Sequence, residues 1–184
     1  MPFHPAIFLD RDGVINANRP DYVKSWAEFA FLPGSLTALV ELGHLGWPVV
    51  VISNQSAIGR GLLSADSAAA INDCLLAEVR ATGGRIDGVY VCPHRPDEGC
   101  ACRKPQPGLL LQAAEELGLD LARSYLIGDA ESDILAALRV GAQPLLVLTG
   151  RGQAQCQRMS SLEGMFTIVE DLHAAVTWIS SREK

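Results

Sequence analysis

Asp10 and Asp12 stand two residues apart at the end of a short apolar run, residues 6–9, and Gly13 follows them. The run reads as a buried strand. In an extended chain residues i and i+2 project to the same side, so both carboxylates face one pocket while Arg11 turns elsewhere. Gly13 lets the backbone bend sharply away. Two like charges held together are costly unless a cation lies between them or one keeps its proton. The chemistry this pair offers is metal binding or proton transfer on an anionic substrate.

Other residues extend that constellation. Asp129 follows Gly128 at the end of the apolar run 125–127, with Asp133 four residues further on. Asp10 and Asp129, at two strand ends, could share a hard divalent cation such as Mg²⁺, which takes oxygen ligands and keeps waters. Asp133 would support those ligands. Ser53 and Asn54 end a third apolar run, 49–52, and offer a hydroxyl and backbone N–H groups to an anion. Lys104, between Arg103 and Pro105, precedes a helix start, where a cation can hold phosphate oxygens. A second cluster differs in kind. Cys92, His94, Cys100 and Cys102 are spaced C-x-H-x5-C-x-C, and three sulfurs with an imidazole suit a closed, tetrahedral and hence structural Zn²⁺ site. Cys74 and Cys156 read as buried apolar residues.

These side chains need a scaffold, and the chain alternates strand and helix patterns. Strands are expected at 6–9, 49–52, 88–92, 125–127, 145–148 and 166–169. Helices open at Pro33-Gly34-Ser35, after Ser64 as N-cap, at Pro107-Gly108, at Ser132 or Asp133, and over 171–181. The irregular, aromatic stretch 16–33 reads as a flap over the pocket, and 92–107 as the zinc loop; both are insertions in one domain. Such alternation predicts an α/β fold, a doubly wound, three-layer (Rossmann-like) parallel sheet with helices on both faces. Ligands of such sheets bind outside the carboxyl ends of the strands. Asp10, Ser53 and Asp129 all fall there.

Composition narrows the partners. A chain of 184 residues can bury one sizeable core. Its formal charge of −6 argues against nucleic-acid or anionic-membrane binding. The longest apolar stretch, about residues 47–52, is far too short to span a bilayer, and no leader pattern precedes the first strand. Five cysteines, three of them beside a histidine, look like metal ligands rather than a disulfide framework. A soluble, cytoplasmic, monomeric protein with a small-molecule substrate is expected.

Taken in order, Asp10-x-Asp12-Gly13-Val14, Ser53-Asn54-Gln55, Arg103-Lys104-Pro105-x-Pro107-Gly108 and Gly128-Asp129-x-x-x-Asp133 resemble the four motifs of the haloacid-dehalogenase-type phosphohydrolases, over about residues 6–148. The histidinol-phosphatase branch is the nearer match. Its heptose-bisphosphate phosphatases share residues 9–13, 54–56 and 102–105, and the same Cys-x-His…Cys-x-Cys zinc arrangement. The resemblance implies a capless, Mg²⁺-dependent phosphatase. Asp10 is then the nucleophile, forming an aspartyl-phosphate, and Asp12 the general acid and base. Ser53 and Lys104 hold the transferring oxygens. Mg²⁺ is held by Asp10, the backbone carbonyl of Asp12 and Asp129, with Asp133 supporting.

The implied substrate is a small sugar phosphate, foremost the 7-phosphate of D-glycero-D-manno-heptose 1,7-bisphosphate. Histidinol phosphate or another small ester is the alternative, and the intact motifs disfavour a non-catalytic binding module. For the phosphate that is not cleaved, Arg103 is the first candidate, then Arg11, Arg19 and Arg60. Substrate contacts are also expected of Asn18, Asn54, Gln55 and Ser56. The chain departs from the heptose enzymes at residues 18–23, a longer flap turn without their Gly, and at Ala130, where many carry Lys. Both departures touch substrate recognition rather than chemistry.

Overall fold

The structure, a computed structural model, describes residues 3–183. In chain order it runs β1 (Ile7–Leu9), α1 (Ser35–His44), β2 (Val49–Asn54), α2 (Ser56–Gly59), α3 (Ala65–Ala81), β3 (Gly88–Cys92), α4 (Gly108–Leu117), β4 (Tyr125–Gly128), α5 (Glu131–Arg139), β5 (Gln143–Val147), α6 (Gly152–Cys156), β6 (Thr167–Val169) and α7 (Leu172–Arg182). The six strands form one parallel sheet in the order β3-β2-β1-β4-β5-β6. This is the double winding expected from the alternation. The four central strands carry nearly continuous apolar runs because both of their faces are covered.

Period-two alternation splits those runs between two cores. Ile7, Leu9, Val49, Val51, Ile127, Leu145 and Val147 pack against α1, α3 and α7. Phe8, Val50, Ile52 and Leu126 pack against α4 and α5 on the other side. Two caps that fix helix starts come from the sequence directly: Ser64 Oγ accepts from the Ser67 N–H at 3.0 Å, and Asp171 Oδ1 from the Ala174 N–H at 2.8 Å.

The flap leaves and returns at one place. The Ala17 N–H donates to the Ala30 carbonyl at 2.8 Å and the Leu32 N–H to the Ile15 carbonyl at 2.9 Å. Between those ties Trp26 stacks on Phe29 with ring centroids 4.8 Å apart, and Phe31 meets both edge-on. The excursion therefore carries an aromatic stack that packs against the core on the α1, α3 and α7 side.

Several boundaries differ from expectation. Helix α5 starts at Glu131 instead of Ser132 or Asp133, because Asp133 sits one turn in and its Oδ2 accepts from the Ala130 N–H at 3.1 Å. Strand β5 begins at Gln143, drawn into the sheet by pairing with Tyr125. The short helices α2 and α6 were not expected, since one turn is too short to show a period. Cys74 and Cys156 are half-buried, not buried. Among the described residues no helix is long and apolar enough to cross a membrane.

Phe8 lies on the central strand and is fully buried, so its truncation opens a cavity that two layers cannot close. Phe8→Ala is expected to cost about 3–5 kcal/mol, read as a lowered urea midpoint with an unchanged slope.

Candidate active site

The strand order reverses between β1 and β4, which pair directly, with Leu9 opposite Ile127. At this switch point the chains leaving the two strands diverge and open a crevice. Asp10 follows β1 and Asp129 follows β4, so the two acids meet on adjacent strands. Ser53 and Asn54 end β2, the neighbour on the other side. The carboxyl ends of three adjacent strands thus form one floor.

A single buried ammonium joins that floor. Lys104 Nζ lies 2.9 Å from Asp10 Oδ1 and 2.7 Å from Asp133 Oδ1, and donates to the Ile52 carbonyl at 2.8 Å. Its backbone is pinned by a reciprocal pair: the Lys104 N–H donates to Asn54 Oδ1 at 3.1 Å, and Asn54 Nδ2 to the Lys104 carbonyl at 3.0 Å. Burial works against the charge on Lys104, but Asp10 and Asp133 outweigh it and hold the ammonium above its usual range. Burial also pushes the Asp10 carboxyl up to about 7; Lys104 opposes the rise, and Asp133, Asp129 and Asp12 add to it.

Asp129 is fully buried, and its two oxygens are treated differently. Oδ2 accepts from Asn18 Nδ2 at 2.6 Å and from the Arg151 N–H at 2.8 Å. Oδ1 is buried without a hydrogen-bond partner among the described residues. Burial, then Asp133, raises the Asp129 carboxyl above the ordinary range. An orphaned buried carboxylate oxygen is costly. Here it lies in a set with Asp10 and Asp133 whose ligand atoms fall within 4.8 Å of one another. All-oxygen, anionic and close, the set fits a hard divalent cation such as Mg²⁺.

The backbone comes unusually close around this set. Gly13 (φ +94°) and Gly150 (φ +57°) face each other across Asp129, and a Cβ on either would overlap its carboxylate and the Asn18 amide. Thr149 Oγ1 donates to the Gly13 carbonyl at 2.7 Å, locking the loop after β5 onto the loop after β1.

Asp12 is ringed by donors. Arg11 Nη2 approaches Oδ2 at 3.0 Å and Oδ1 at 3.3 Å, Asn16 Nδ2 donates to Oδ1 at 2.9 Å, and Gln55 Nε2 to Oδ2 at 2.6 Å. This corrects one expectation. Arg11 is not placed to touch a substrate: it is 1 % exposed, lies outside the cleft lining, and points beneath Asp12 toward Asn72. An arginine after a strand-end acid looks like an anion binder in sequence, but the alternation that puts Asp10 and Asp12 in the pocket turns Arg11 into the protein.

The cleft above the floor has a volume of about 540 Å³, and Asp10, Asp12, Asn18, Arg19, Ser53, Asn54, Gln55, Ser56, Arg60, Arg103, Lys104 and Asp133 line it. The flap contributes Pro20, Tyr22 and Val23 as its roof. Arg19 is engaged within the flap, 3.1 Å from Asp21 and 3.9 Å from Glu28. Arg103 donates to the His94 carbonyl at 3.2 Å, which ties the cleft rim to the second cluster.

That second cluster is compact. Cys102 Sγ lies 3.2 Å from Cys92 Sγ, 3.5 Å from Cys100 Sγ and 3.3 Å from His94 Nδ1, while Cys92 Sγ is 3.6 Å from both Cys100 Sγ and His94 Nδ1. A tetrahedral ion with bonds of about 2.3 Å has ligand–ligand edges of about 3.8 Å, so the four atoms stand near the corners such an ion needs. All five cysteines are free. Burial and the adjacent Cys102 push the Cys92 thiol up to about 12, so a metal arriving here must displace its proton.

A family model described as HAD-hydrolase-like matches residues 101–175. A D-glycero-β-D-manno-heptose-1,7-bisphosphate 7-phosphatase of Pseudomonas putida is 43% identical over 152 residues, 83% of this chain and 87% of the relative. One from Bordetella bronchiseptica is 42% identical over 168 residues, 91% of this chain and 93% of the relative. The chain belongs to this HAD-like phosphatase family. A crystal structure of the D,D-heptose 1,7-bisphosphate phosphatase from B. bronchiseptica, complexed with magnesium and phosphate, superposes with a TM-score of 0.92 at 39% identity, covering 97% of this chain and 99% of that one. The cleft also holds a residue that the sequence motifs do not include. Arg151, with its side chain 62 % exposed, lines the cleft beside Ala130 and Ser132. The signal was present: residues 149–151 follow the fifth apolar run, at the same carboxyl edge that drew attention to Asp10, Ser53 and Asp129.

The raised Asp10 carboxyl has a consequence for stability. An unfolded aspartate titrates near about 3.9, whereas the folded, metal-free site keeps its proton up to about 7. The native state then binds more protons than the unfolded chain across that window. The contribution is complete below about pH 4 and is lost as pH rises through about 7. Thermal unfolding in buffer free of Mg²⁺ is expected to show this loss between about pH 4 and pH 7, millimolar Mg²⁺ to recover it at the higher pH, and Asp10→Asn to flatten the dependence.

Proposed function

We propose that this chain is a Mg²⁺-dependent phosphatase that removes the 7-phosphate of D-glycero-β-D-manno-heptose 1,7-bisphosphate through an aspartyl-phosphate. The observation that carries the proposal is the state of Asp10. Lys104 takes its Oδ1, no hydrogen bond is made to Oδ2 among the described residues, and the side chain lines the cleft. That leaves one carboxylate oxygen to meet a phosphorus atom. Support for the substrate comes from relatives 39–43% identical over most of this chain that carry the name of this activity.

Asp10 Oδ2 attacks phosphorus as the ester P–O bond breaks, and Asp12 gives the leaving alkoxide its proton. Asp12 then takes a proton from water, whose oxygen attacks the same phosphorus and releases phosphate and free Asp10. Lys104 and Ser53 hold the non-bridging oxygens from fixed positions, so little reorganisation is needed as charge shifts. Asp10, Asp129 and the Asp12 backbone carbonyl, supported by Asp133, would hold Mg²⁺, which offsets the repulsion between carboxylate and phosphate. The phosphate that is not cleaved would be received at the rim by Arg103 and Arg60, with Arg19 held nearby by the flap. Asn18, Gln55 and Ser56 complete the walls.

We assign the second cluster to structural Zn²⁺. Its role is to fold a loop with little apolar content, so that Arg103 and Lys104 are held over the floor. Free cysteines throughout fit a reducing compartment, and the cytoplasm is the location proposed.

A phosphate-release assay on the heptose bisphosphate, with ³¹P detection of which ester remains, tests the reading. The 7-phosphate is expected to leave. Asp10→Ala is expected to abolish turnover, and Asp12→Asn to lower it about 10²–10⁴-fold with Mg²⁺ affinity preserved. Preferred turnover of histidinol phosphate would replace the substrate assignment.

Metal analysis of protein purified without chelator is expected to find about one zinc per chain. A Cys100→Ser, Cys102→Ser double variant is expected to lose it and to expose residues 92–107 to protease. Zinc far below one in the parent protein would remove the structural assignment.

A further inference from the structure

We propose that Arg11, anchored by Asn72, is a positioning residue that holds the Asp12 carboxylate where it exchanges a proton with the leaving oxygen; this rests on the phosphatase reading above. Arg11 is 1 % exposed although its charge is permanent, so the fold pays desolvation to keep a guanidinium there. What it obtains is orientation. One nitrogen, Nη2, reaches both Asp12 oxygens, at 3.0 and 3.3 Å. The other, Nη1, donates to Asn72 Oδ1 at 3.1 Å. A planar fork held at both nitrogens cannot rotate about its axis. The guanidinium carbon lies 5.9 Å from the centre of the Phe29 ring, which bounds it on the flap side.

Asn72 comes from the middle of α3, and neither it nor any other α3 residue lines the cleft. It is 8 % exposed. Its link to the cleft is through Arg11 alone among the described hydrogen bonds. Asn16 and Gln55 complete the collar around Asp12 from the loop after β1 and the end of β2. Asp12 alone of these groups must both give and receive a proton in one cycle, and proton transfer is sensitive to small misplacement. A counter-ion serving only charge balance would not need its far side fixed by a carboxamide 61 residues away.

The test compares two esters in the full chain with Mg²⁺ and zinc present. The alkyl ester is the heptose bisphosphate, whose leaving oxygen needs a proton. The aryl ester is 4-nitrophenyl phosphate, whose leaving group needs none, followed in a single turnover to isolate phosphoryl transfer to Asp10. Asn72→Leu removes the anchor while keeping volume. It is expected to lower kcat on the alkyl ester about tenfold, with KM within about twofold and aryl phosphoryl transfer within about twofold of the parent. Asn72→Asp, which restores an acceptor for Nη1, is expected to recover most of the lost kcat. Arg11→Lys, which keeps the charge and loses the fork, is expected to behave like Asn72→Leu. Equal losses on both esters, a change confined to KM, or no loss in Asn72→Leu overturns the positioning role while leaving the phosphatase reading intact. A parent protein with no Mg²⁺-dependent release from either ester overturns both.

Discussion

Lys104 is the residue on which the site depends. Its ammonium donates to the Ile52 carbonyl and forms ion pairs with Asp10 and Asp133. A buried ion pair is weak evidence for net stability, because desolvation offsets most of the attraction. Its value here is geometric. Three acids converge at the ends of β1 and β4 and the start of α5, and without a fixed cation among them at least one would have to protonate or turn away. Held among these three groups, the ammonium keeps its place, so the charge at the floor is set before any ligand arrives.

Holding a lysine that rigidly is a problem for a loop. Residues 99–107 contain two prolines, two cysteines and no aliphatic run, so the hydrophobic effect has little to grip there. Two other interactions take its place. Asn54 at the end of β2 clasps the Lys104 backbone from both its N–H and its carbonyl, which ties the loop to the sheet. On the far side the Cys92, His94, Cys100 and Cys102 cluster gathers the loop onto the end of β3, and Arg103 reaches back to the His94 carbonyl. A cysteine–histidine cluster and an amide clasp thus do at this edge what apolar packing does in the two cores.

The parts of this design that sequence displays are those written in apolar periodicity. The runs 49–52, 88–92 and 125–127 locate strands, and the rule that parallel sheets bind ligands at their carboxyl ends points to Asp10, Ser53 and Asp129. The spacing of the cysteines and His94 is equally plain, because short-range ligand geometry leaves a local signature. What escapes is whatever depends on direction in space. Alternation turns Arg11 away from the pocket already in the sequence, but only the position of α3 shows that it is buried against Asn72. Arg151 and Gly150 stand at the expected carboxyl edge, but their contact with Asp129 spans more than twenty residues and nothing local marks it. The one-turn helices α2 and α6 carry too few residues for a period to emerge.

The distribution of charge accounts for how a chain of net charge −6 can take an anionic substrate. Its acids at the site are sunk: Asp129 and Asp133 are nearly or fully buried, and Asp10 is 7 % exposed. Its arginines ring the opening, with Arg19, Arg60, Arg103 and Arg151 all on the cleft wall. Beyond about 10 Å ordinary salt screens the overall negative charge, whereas a cleft with low-dielectric walls focuses the local field. An approaching phosphate therefore meets arginines before it meets carboxylates. A substrate with phosphates at both ends suits this arrangement, because the rim can retain one group while the floor works on the other. The flap is closed on itself, its ends tied to each other at residues 15–17 and 30–32, and it brings Tyr22 to the cleft at a left-handed φ of 65°.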